Sequence, residues 1–315
     1  MTRSMYAVIK EKISWFSRVK MSEEALEEIK FWQLNIDFVN EVPAWTNEFK
    51  PTKLVYSDAS DHACAAFVQK PNVVFHQNWS ESEKGKSSTW RELKAVCLAI
   101  ESYSNILHDQ NIAWFTDNQN IVTIVHKGSK VKKLQVLALK IFSSCLTNGI
   151  SLEMKWIPRD LNVDADSLSK IIDFEVYSLN DTVFAMLDSK WGPHTVDRFA
   201  CHYNRKIDRF NSRFYQPGAE AVDAFLQDWE FENNWLMPPV CLIPRVLAHM
   251  RICKAKGTLV IPMWKSSHFW TLLCNDGIHW NSMVHDWCIL PNERVFGGIL
   301  HSMTDISKNF GLEYY

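Results

Sequence analysis

Four acidic residues stand where their side chains could do chemistry. Asp58 and Asp117 each end an apolar run rich in β-branched and aromatic residues, the pattern of a strand that carries an acid to a sheet edge. Glu92 and Asp166 each lie in the first turn of an expected helix. Carboxylates crowded together repel one another unless cations neutralise them. Such oxygen ligands suit Mg²⁺ or Mn²⁺, and a pair of these ions would hydrolyse a phosphodiester.

Each acid also has an ordinary structural explanation. The two strand-end aspartates could form turns, because Asp often hydrogen-bonds its own backbone after a strand. Glu92 stands three residues after Thr89, which is the spacing of a helix capping box. Asp160, Asp164 and Asp166 could each be an acid that the dipole of a helix N-terminus favours. The residues alone leave both explanations open.

The elements expected to position these acids form a mixed sheet with helices packed on it. Expected strands lie at 53–58, 65–69, 73–78, 111–117 and 152–157. Expected helices lie at 89–103, 119–126, about 133–146 and 164–171, with a loop at 81–88. This order predicts an α/β fold that begins with an antiparallel meander. If the strands of Asp58 and Asp117 are neighbours, both acids meet at one edge.

The totals describe a globular chain of two domains. Its 315 residues are 47% hydrophobic and 22% charged, with a net charge of −2, so nucleic-acid binding would need local basic patches. No run of 18 apolar residues is present, which predicts no membrane partner. The eight cysteines are dispersed without a C-x-x-C pair, as in reduced intracellular proteins. We therefore expect a cytoplasmic or nuclear location, and a helical lead-in or connection segment over residues 1–50.

Four motifs resemble the ribonuclease H domain of retroelement reverse transcriptases. They are Tyr-Ser-Asp58-Ala-Ser, Trp-Arg-Glu92-Leu-Lys-Ala, Phe-Thr-Asp117-Asn-Gln-Asn and Asn162-Val-Asp-Ala-Asp166-Ser-Leu-Ser. The resemblance implies a ribonuclease H-like fold over residues 51–172 and hydrolysis of the RNA strand of an RNA–DNA hybrid. It also implies two Mg²⁺ or Mn²⁺ ions held by all four acids, which would be both the metal-binding and the catalytic residues. Within the last motif it selects Asp166 over Asp164.

A basic loop is expected to bind the hybrid. Lys127, Lys130, Lys132 and Lys133 lie where some relatives carry a protrusion that grips the hybrid, and Asn118 is expected to contact nucleic acid beside Asp117. Phosphate neutralisation by lysines adds affinity without sequence discrimination. The alternative is a solvated, lysine-rich helix start.

Two features depart from the relatives. Many of them carry a histidine in the loop before the last acid, whereas residues 158–163 contain none, so a slow or metal-only mechanism is expected. The chain also lacks the Tyr/Phe-x-Asp-Asp motif of a reverse transcriptase. A polymerase partner would then be supplied separately, and the chain would be a transposon fragment or a domesticated remnant.

The resemblance continues beyond residue 172, toward DIRS-type retrotransposons, which use a tyrosine recombinase. It is carried by segments beginning at Trp191, Arg209, Ala221 and Asn234. These resemble a region related to phage-type adenine-N6 DNA methyltransferases, which implies a linker helix over 173–192 and a Rossmann-like α/β domain over 193–315.

That second domain departs from the methyltransferase pattern. The family requires Asn or Asp before a Pro-Pro pair and an aromatic residue after it, to hold a flipped adenine. Here those positions are Met237 and Val240, so a degenerate, non-catalytic domain is expected. Asp197 could contact a cofactor or form a strand-end turn. Three hypotheses result: a hybrid nuclease, an inactive nucleic-acid-binding remnant, and a DNA adenine methyltransferase.

Overall fold

The chain folds into two compact units, Met1–Ile171 and Ile172–Tyr315. The computed structural model describes residues 2–41, 49–171, 178–274, 279–290 and 310–314. The connector around residue 43 and the start of the expected linker, residues 172–177, lie outside the described residues. The finer four-part division of the chain stays a prediction. None of the helices in these ranges is both long and apolar enough to cross a bilayer.

The first unit is built on a five-stranded mixed sheet. Its strands are β1 Lys53–Ala59, β2 Ala63–Val68, β3 Val73–Asn78, β4 Asn111–Thr116 and β5 Ser151–Trp156. Their order is β3-β2-β1-β4-β5, with antiparallel pairing among β1, β2 and β3. Parallel pairing joins β1 to β4 and β4 to β5. The predicted antiparallel meander and the predicted mixed sheet are therefore confirmed.

Helices flank this sheet. They are α1 Arg3–Lys10, α2 Glu23–Glu41, α3 Glu81–Lys84, α4 Ser88–Ser102, α5 Ser104–Leu107, α6 Gln119–Lys127, α7 Lys132–Thr147 and α8 Val163–Ser169. Helix α4 packs on β1, β2 and α7, whereas α8 packs on β1 and β2. Because α8 lies against β1, it can bring an acid close to the strand that carries Asp58.

The segment 81–88, expected as a loop, contains the short helix α3. Glu83 Oε2 accepts hydrogen bonds from the backbone N–H of Ser80 at 3.1 Å and from its hydroxyl at 2.8 Å. This contact holds one helical turn among charged and small residues. The sequence prediction missed it because the segment has no apolar periodicity.

Aromatic side chains cover one face of the central strands. Tyr56 stacks between Phe67 and Phe115, with ring centroids 4.9 and 4.7 Å apart. Side chains two residues apart on a strand share a face. Asp58 therefore lies on the same face as Tyr56, one step beyond this aromatic stack.

The second unit has a sheet of its own. Its elements are α9 Asp181–Trp191, β6 Val196–Asp197, β7 Asn211–Ser212, β8 Ala221–Val222, β9 Asn233–Leu236, α10 Ile243–Cys253, β10 Lys256–Pro262, α11 Trp270–Leu273, β11 Asp286–Ile289 and β12 Phe310–Tyr314. The described strands follow the order β11-β12-β10-β9-β6, and β7 pairs with β8. Strands β6, β9 and β10 are parallel, but β12 is antiparallel to β10 and β11. The expected parallel sheet is thus mixed at one edge.

All eight cysteines are free thiols. The core of the second unit includes Trp229, Leu236, Val246 and Leu259, all with side chains completely buried. Helix α10 and strands β9 and β10 supply half of the buried residues in this cluster.

Candidate active site

Two of the four predicted acids meet at one edge of the first sheet. Strands β1 and β4 are parallel neighbours, and Tyr56 pairs with Phe115 in their register. Asp58 and Asp117 each lie two residues further along, which is the juxtaposition predicted for neighbouring strands. Asp58 lies inside β1 rather than on a turn, because pairing with β2 continues to Ala59.

Glu92 reaches this edge from helix α4. The helix is capped by Ser87, whose hydroxyl accepts a hydrogen bond from the backbone N–H of Trp90 at 3.3 Å. The capping-box explanation, with Thr89 as the cap, is therefore wrong, and Glu92 lies in the second turn instead of the first. Its carboxylate is not used to cap its own helix.

Only one oxygen of the Glu92 carboxylate has a hydrogen-bond partner. Asn118 Nδ2 donates to Oε1 at 3.0 Å, while Oε2 is buried and has no partner among the described residues. Burial, together with the negative charges of Asp117 and Asp58, raises the pKa of Glu92 to about 7, against the opposing hydrogen bond from Asn118. These three acids therefore feel one another electrostatically.

The two strand-end acids differ in their surroundings. Asp58 is buried, at 7% exposure, and its Oδ2 accepts a hydrogen bond of 2.6 Å from the hydroxyl of Ser169. Asp117 is half-buried. Burial raises the pKa of Asp117, and the charge of Asp58 adds to this, whereas the cation of Arg159 opposes it.

Helix α8 is fixed to β1 by polar contacts. Asn162 Nδ2 donates to the carbonyl of Ser57 at 3.1 Å, and Ser60 Oγ donates to the carbonyl of Ser169 at 2.6 Å. The first contact is to the residue directly before Asp58. The last acidic motif is thereby attached beside the strand that carries the first.

Asp166 is held by cations. Arg159 Nη2 lies 2.7 Å from Oδ1, and Lys170 Nζ donates to Oδ2. The hydrogen bond from Lys170, followed by the one from Arg159, lowers the pKa of Asp166. Asp160 and Asp164 are exposed, and it is the charge of Asp166 that acts on Asp117. Asp166 is thus the acid of this helix whose charge reaches Asp117.

The acids agree only in part with a metal site. Among the described residues, no three His, Cys, Asp or Glu side chains are close enough to hold a metal ion. The chemistry of the donors nevertheless fits a hard divalent cation, since they are all carboxylates and one buried oxygen of Glu92 lacks a partner. A bound cation would also stabilise the ionised form of Glu92 against the burial and the repulsion by neighbouring acids that raise its pKa. The donor set fits in type, while its arrangement is more open than the sequence led us to expect.

The predicted nucleic-acid contacts lie at and after the end of α6. The side chains of Lys127, Lys130, Lys132 and Lys133 are exposed. Lys132 forms an ion pair with Glu24 of α2, so its charge is partly neutralised. Lys133 lines a depression of about 580 Å³ together with Lys86 and Trp90. The role of these lysines in hybrid binding stays a prediction.

Asn118 is occupied within the protein. Its Oδ1 accepts from the backbone N–H of Asn120 at 3.0 Å, which caps α6, while its Nδ2 holds Glu92. The expected contact of Asn118 with nucleic acid stays a prediction, but the position of its side chain shows a role in orienting Glu92.

Three residues of this site were not predicted from the sequence. Lys170 stands four residues after Asp166, which is the spacing of a helical ion pair and could have indicated the contact. Arg159 lies in the loop that lacks a histidine, and a basic residue at this place could have indicated a contact with one of the acids. Ser169 ends the fourth quoted motif, but the motif did not indicate its contact, because its partner Asp58 is 111 residues away.

The strand-end acid of the second unit is enclosed. Asp197 is 3% exposed, and its carboxylate accepts from the backbone N–H groups of Phe199 at 3.4 Å and Lys206 at 3.1 Å. Burial raises its pKa to about 6. These contacts agree with the turn interpretation. Val240 begins a single 3₁₀ turn, Val240–Leu242, directly before α10.

No protein-family model and no curated protein matches the chain. Among solved structures, it is similar to RNase H1 from the halophilic archaeon Halobacterium salinarum, with 16% identity over 37% of this chain and 92% of that one, at a TM-score of 0.32. It is also similar to LC11-RNase H1, isolated from compost by metagenomics, with 22% identity over 38% and 93% of the two chains, at 0.32. LC11-RNase H1 in complex with an RNA/DNA hybrid has 19% identity over 37% and 93%, at 0.31.

Proposed function

We propose that the first unit is a divalent-metal-dependent endonuclease that hydrolyses the RNA strand of RNA–DNA hybrids. The observation that carries the proposal is the parallel register of β1 and β4, because it brings Asp58 and Asp117 to one edge. The partly unpartnered carboxylate of Glu92 lies within electrostatic range of both. The four quoted motifs support the same activity.

The chain's own residues have separate tasks in this proposal. Asp58, Glu92, Asp117 and Asp166 would hold Mg²⁺ or Mn²⁺, while Asn118 orients Glu92 and Ser169 orients Asp58. Two such ions, when bound, supply an activated water and stabilise charge on the leaving oxygen. Asp166 has to exchange Arg159 or Lys170 for a metal ion, which at an exposed ion pair costs less than about 1 kcal/mol. The exposed lysines Lys127, Lys130 and Lys133 would neutralise hybrid phosphates.

The test is cleavage of a labelled RNA–DNA hybrid by the full chain with Mg²⁺. The wild-type protein should cut the RNA strand, whereas Asp58→Asn should abolish cleavage. Asp164→Asn is the matched control, because it removes an exposed carboxylate from α8, the helix that also carries Asp166, and should leave cleavage unchanged. Equal cleavage rates for the wild-type protein and Asp58→Asn would contradict the proposal.

A second candidate is a nucleic-acid-binding module that has lost catalysis. It is favoured by the engagement of both Asp166 oxygens with cations and by the open arrangement of the acids within the described residues. Binding of the uncut hybrid by the wild-type protein, without cleavage at any Mg²⁺ or Mn²⁺ concentration tested, would select this candidate.

We infer a retrotransposon origin for the whole chain, with a reverse transcriptase supplied separately. The support is the sequence resemblance to DIRS-type elements, which extends into the second unit. We further propose that the second unit is a degenerate methyltransferase-like module of Rossmann type, since three of its strands are parallel and Met237 and Val240 cannot hold a flipped adenine. Calorimetric titration with S-adenosylmethionine tests this, and tight binding would restore the methyltransferase hypothesis.

A further inference from the structure

The second unit contains a cavity that none of the proposed activities uses. It has a volume of about 340 Å³, within the range of small-molecule sites. It lies beyond the carboxyl ends of the parallel strands β6 and β9 and reaches the start of α10, where Pro239, Cys241 and Leu242 line it. This end of parallel strands is a common location for ligand sites in α/β proteins.

Positive charge dominates the wall of this cavity. Arg198, Arg213 and Arg245 line it, against the single carboxylate of Asp223, which leaves an excess of two positive charges. Within the described parts of the chain, no carboxylate forms an ion pair with Arg198 or Arg245. Glu220 and Glu232, whose charges act on Arg198, form their ion pairs with Arg209 instead. The positive end of the α10 dipole adds to the same field.

Arg198 is buried among neutral acceptors. It is 4% exposed, and it donates to Asn234 Oδ1 at 2.7 Å, Asn211 Oδ1 at 2.9 Å and the carbonyl of Asp228 at 2.8 Å. These contacts use three of the five N–H donors of its guanidinium. Burial lowers the pKa of Arg198 despite the more distant charges of Glu232 and Glu220, so an anionic ligand in the adjoining cavity would add compensation for this buried charge.

The same cavity has an aromatic wall. The rings of Phe199 and Phe225 are 5.6 Å apart, and the guanidinium of Arg245 lies 3.8 Å from the centroid of Phe225. Asp223, beside them, has φ 58° and ψ 98°, a conformation that non-glycine residues rarely adopt and that often accompanies functional sites. A planar ring system could lie on this wall with an anionic group toward the arginines.

We propose that this cavity binds a nucleoside monophosphate group, with its phosphate at the arginines and its base against Phe199 and Phe225. The group would come from a free nucleotide or from one nucleotide of a single strand, since both present the same chemistry. S-Adenosylmethionine fits this cavity less well, because its sulfonium would add a cation to an already positive wall. This inference does not depend on the nuclease proposal.

The test is calorimetric titration of the full chain, without divalent metal, by adenosine 5′-monophosphate and adenosine. A second arm uses a 12-nucleotide single-stranded DNA. Arg245→Gln removes one wall cation. Arg251→Gln removes the same charge from an exposed position of the same helix, outside the cavity, and serves as the matched control.

The monophosphate or the single strand should bind the wild-type protein, and Arg245→Gln should weaken that binding about tenfold or more, as expected for a charge-assisted hydrogen bond. Arg251→Gln should change it less than about twofold. Binding of the monophosphate identifies a free nucleotide as ligand, and binding of the single strand alone identifies a nucleic acid. Adenosine binding as tightly as its monophosphate, equal effects of both substitutions, or no binding in either arm would each overturn the proposal. Circular dichroism must show that both variants remain folded.

Discussion

Both units carry an aspartate at the end of a strand in a parallel pair, yet the two side chains meet opposite fates. Asp117 follows β4 and remains half-buried beside Asp58 and Glu92. Asp197 ends β6 and is enclosed, with backbone N–H groups satisfying its carboxylate. The same local device thus yields a candidate catalytic group in one unit and a structural turn in the other.

The pKa is raised at both aspartates, so the difference teaches that a strand-end acid is a functional candidate only when it stays accessible and has other acids beside it. In the first unit, burial and the charges of neighbouring acids raise the pKa values of Glu92 and Asp117, and one oxygen of Glu92 has no partner among the described residues. In the second unit, the strand ends face a cavity of opposite character, lined by arginines. The strand ends of the first sheet therefore carry negative charge, whereas those of the second sheet face positive charge.

The largest expected effect is a difference in hybrid cleavage between variants of Asp117 and Asp197. Asp117→Asn should lower hybrid cleavage on the order of 10³-fold, because several kcal/mol of metal-dependent stabilisation is lost. Asp197→Asn should leave the rate within about twofold, because its carboxylate makes turn contacts only. Single-turnover cleavage rates measure both. Equal losses in the two variants would remove the distinction on which the comparison depends.

The second effect concerns stability and pH. The pKa of Asp197 is raised from 3.8 to about 6, so the folded state holds a proton that the unfolded state releases. Stability from this group is fully present below pH 3.8 and is lost as the pH rises to 6, by about 3 kcal/mol. The free energy of unfolding of wild type minus that of Asp197→Asn should fall accordingly between pH 4 and 7. Hydrogen exchange of peptides around residue 197 measures it, and a pH-independent difference would contradict the assignment.

A third comparison uses two asparagine caps. Asn118→Ala removes the α6 cap, at a cost of about 1 kcal/mol, together with the hydrogen bond that lowers the pKa of Glu92. The acidic limb of the cleavage pH profile should therefore move to higher pH. Asn180→Ala removes the equivalent cap of α9, which accepts from Thr182 at 2.8 Å, and should cost similar stability without moving the profile. An unchanged profile for Asn118→Ala would show that Glu92 does not limit the reaction.

The smallest effect tests how firmly Asp166 is held. Lys170→Gln removes one of its two cationic partners, and an exposed pair is worth at most about 1 kcal/mol. The Mg²⁺ concentration for half-maximal cleavage should therefore fall about two- to fivefold. Lys84→Gln, which breaks the exposed pair with Glu81, is the control and should have no effect. A higher Mg²⁺ requirement would mean that Lys170 assists binding instead of competing with the metal.

Local pattern was sufficient for much of the first unit. The alternation of side chains in 53–58 and 111–116 predicted β1 and β4. Ser22 predicted the start of α2, and its hydroxyl accepts a hydrogen bond of 3.3 Å from the backbone N–H of Ala25. The errors occurred where two polar residues competed for one cap. Ser87, not Thr89, caps α4, and the capping box lies at Ser80 and Glu83 instead. Short-range spacing does not reveal which of several serines and threonines the chain will use.

The sequence by itself determined the identity of the acids and the strands and helices that carry them, because hydrophobic periodicity and motif spacing are local properties. Only the tertiary structure decided that β1 and β4 are neighbours, that Ser169 reaches Asp58, and that Arg159 and Lys170 hold Asp166. It alone also separated the half-buried carboxylate of Asp117 from the enclosed carboxylate of Asp197. Burial and contact across the fold set these outcomes, and they depend on residues far apart in the chain.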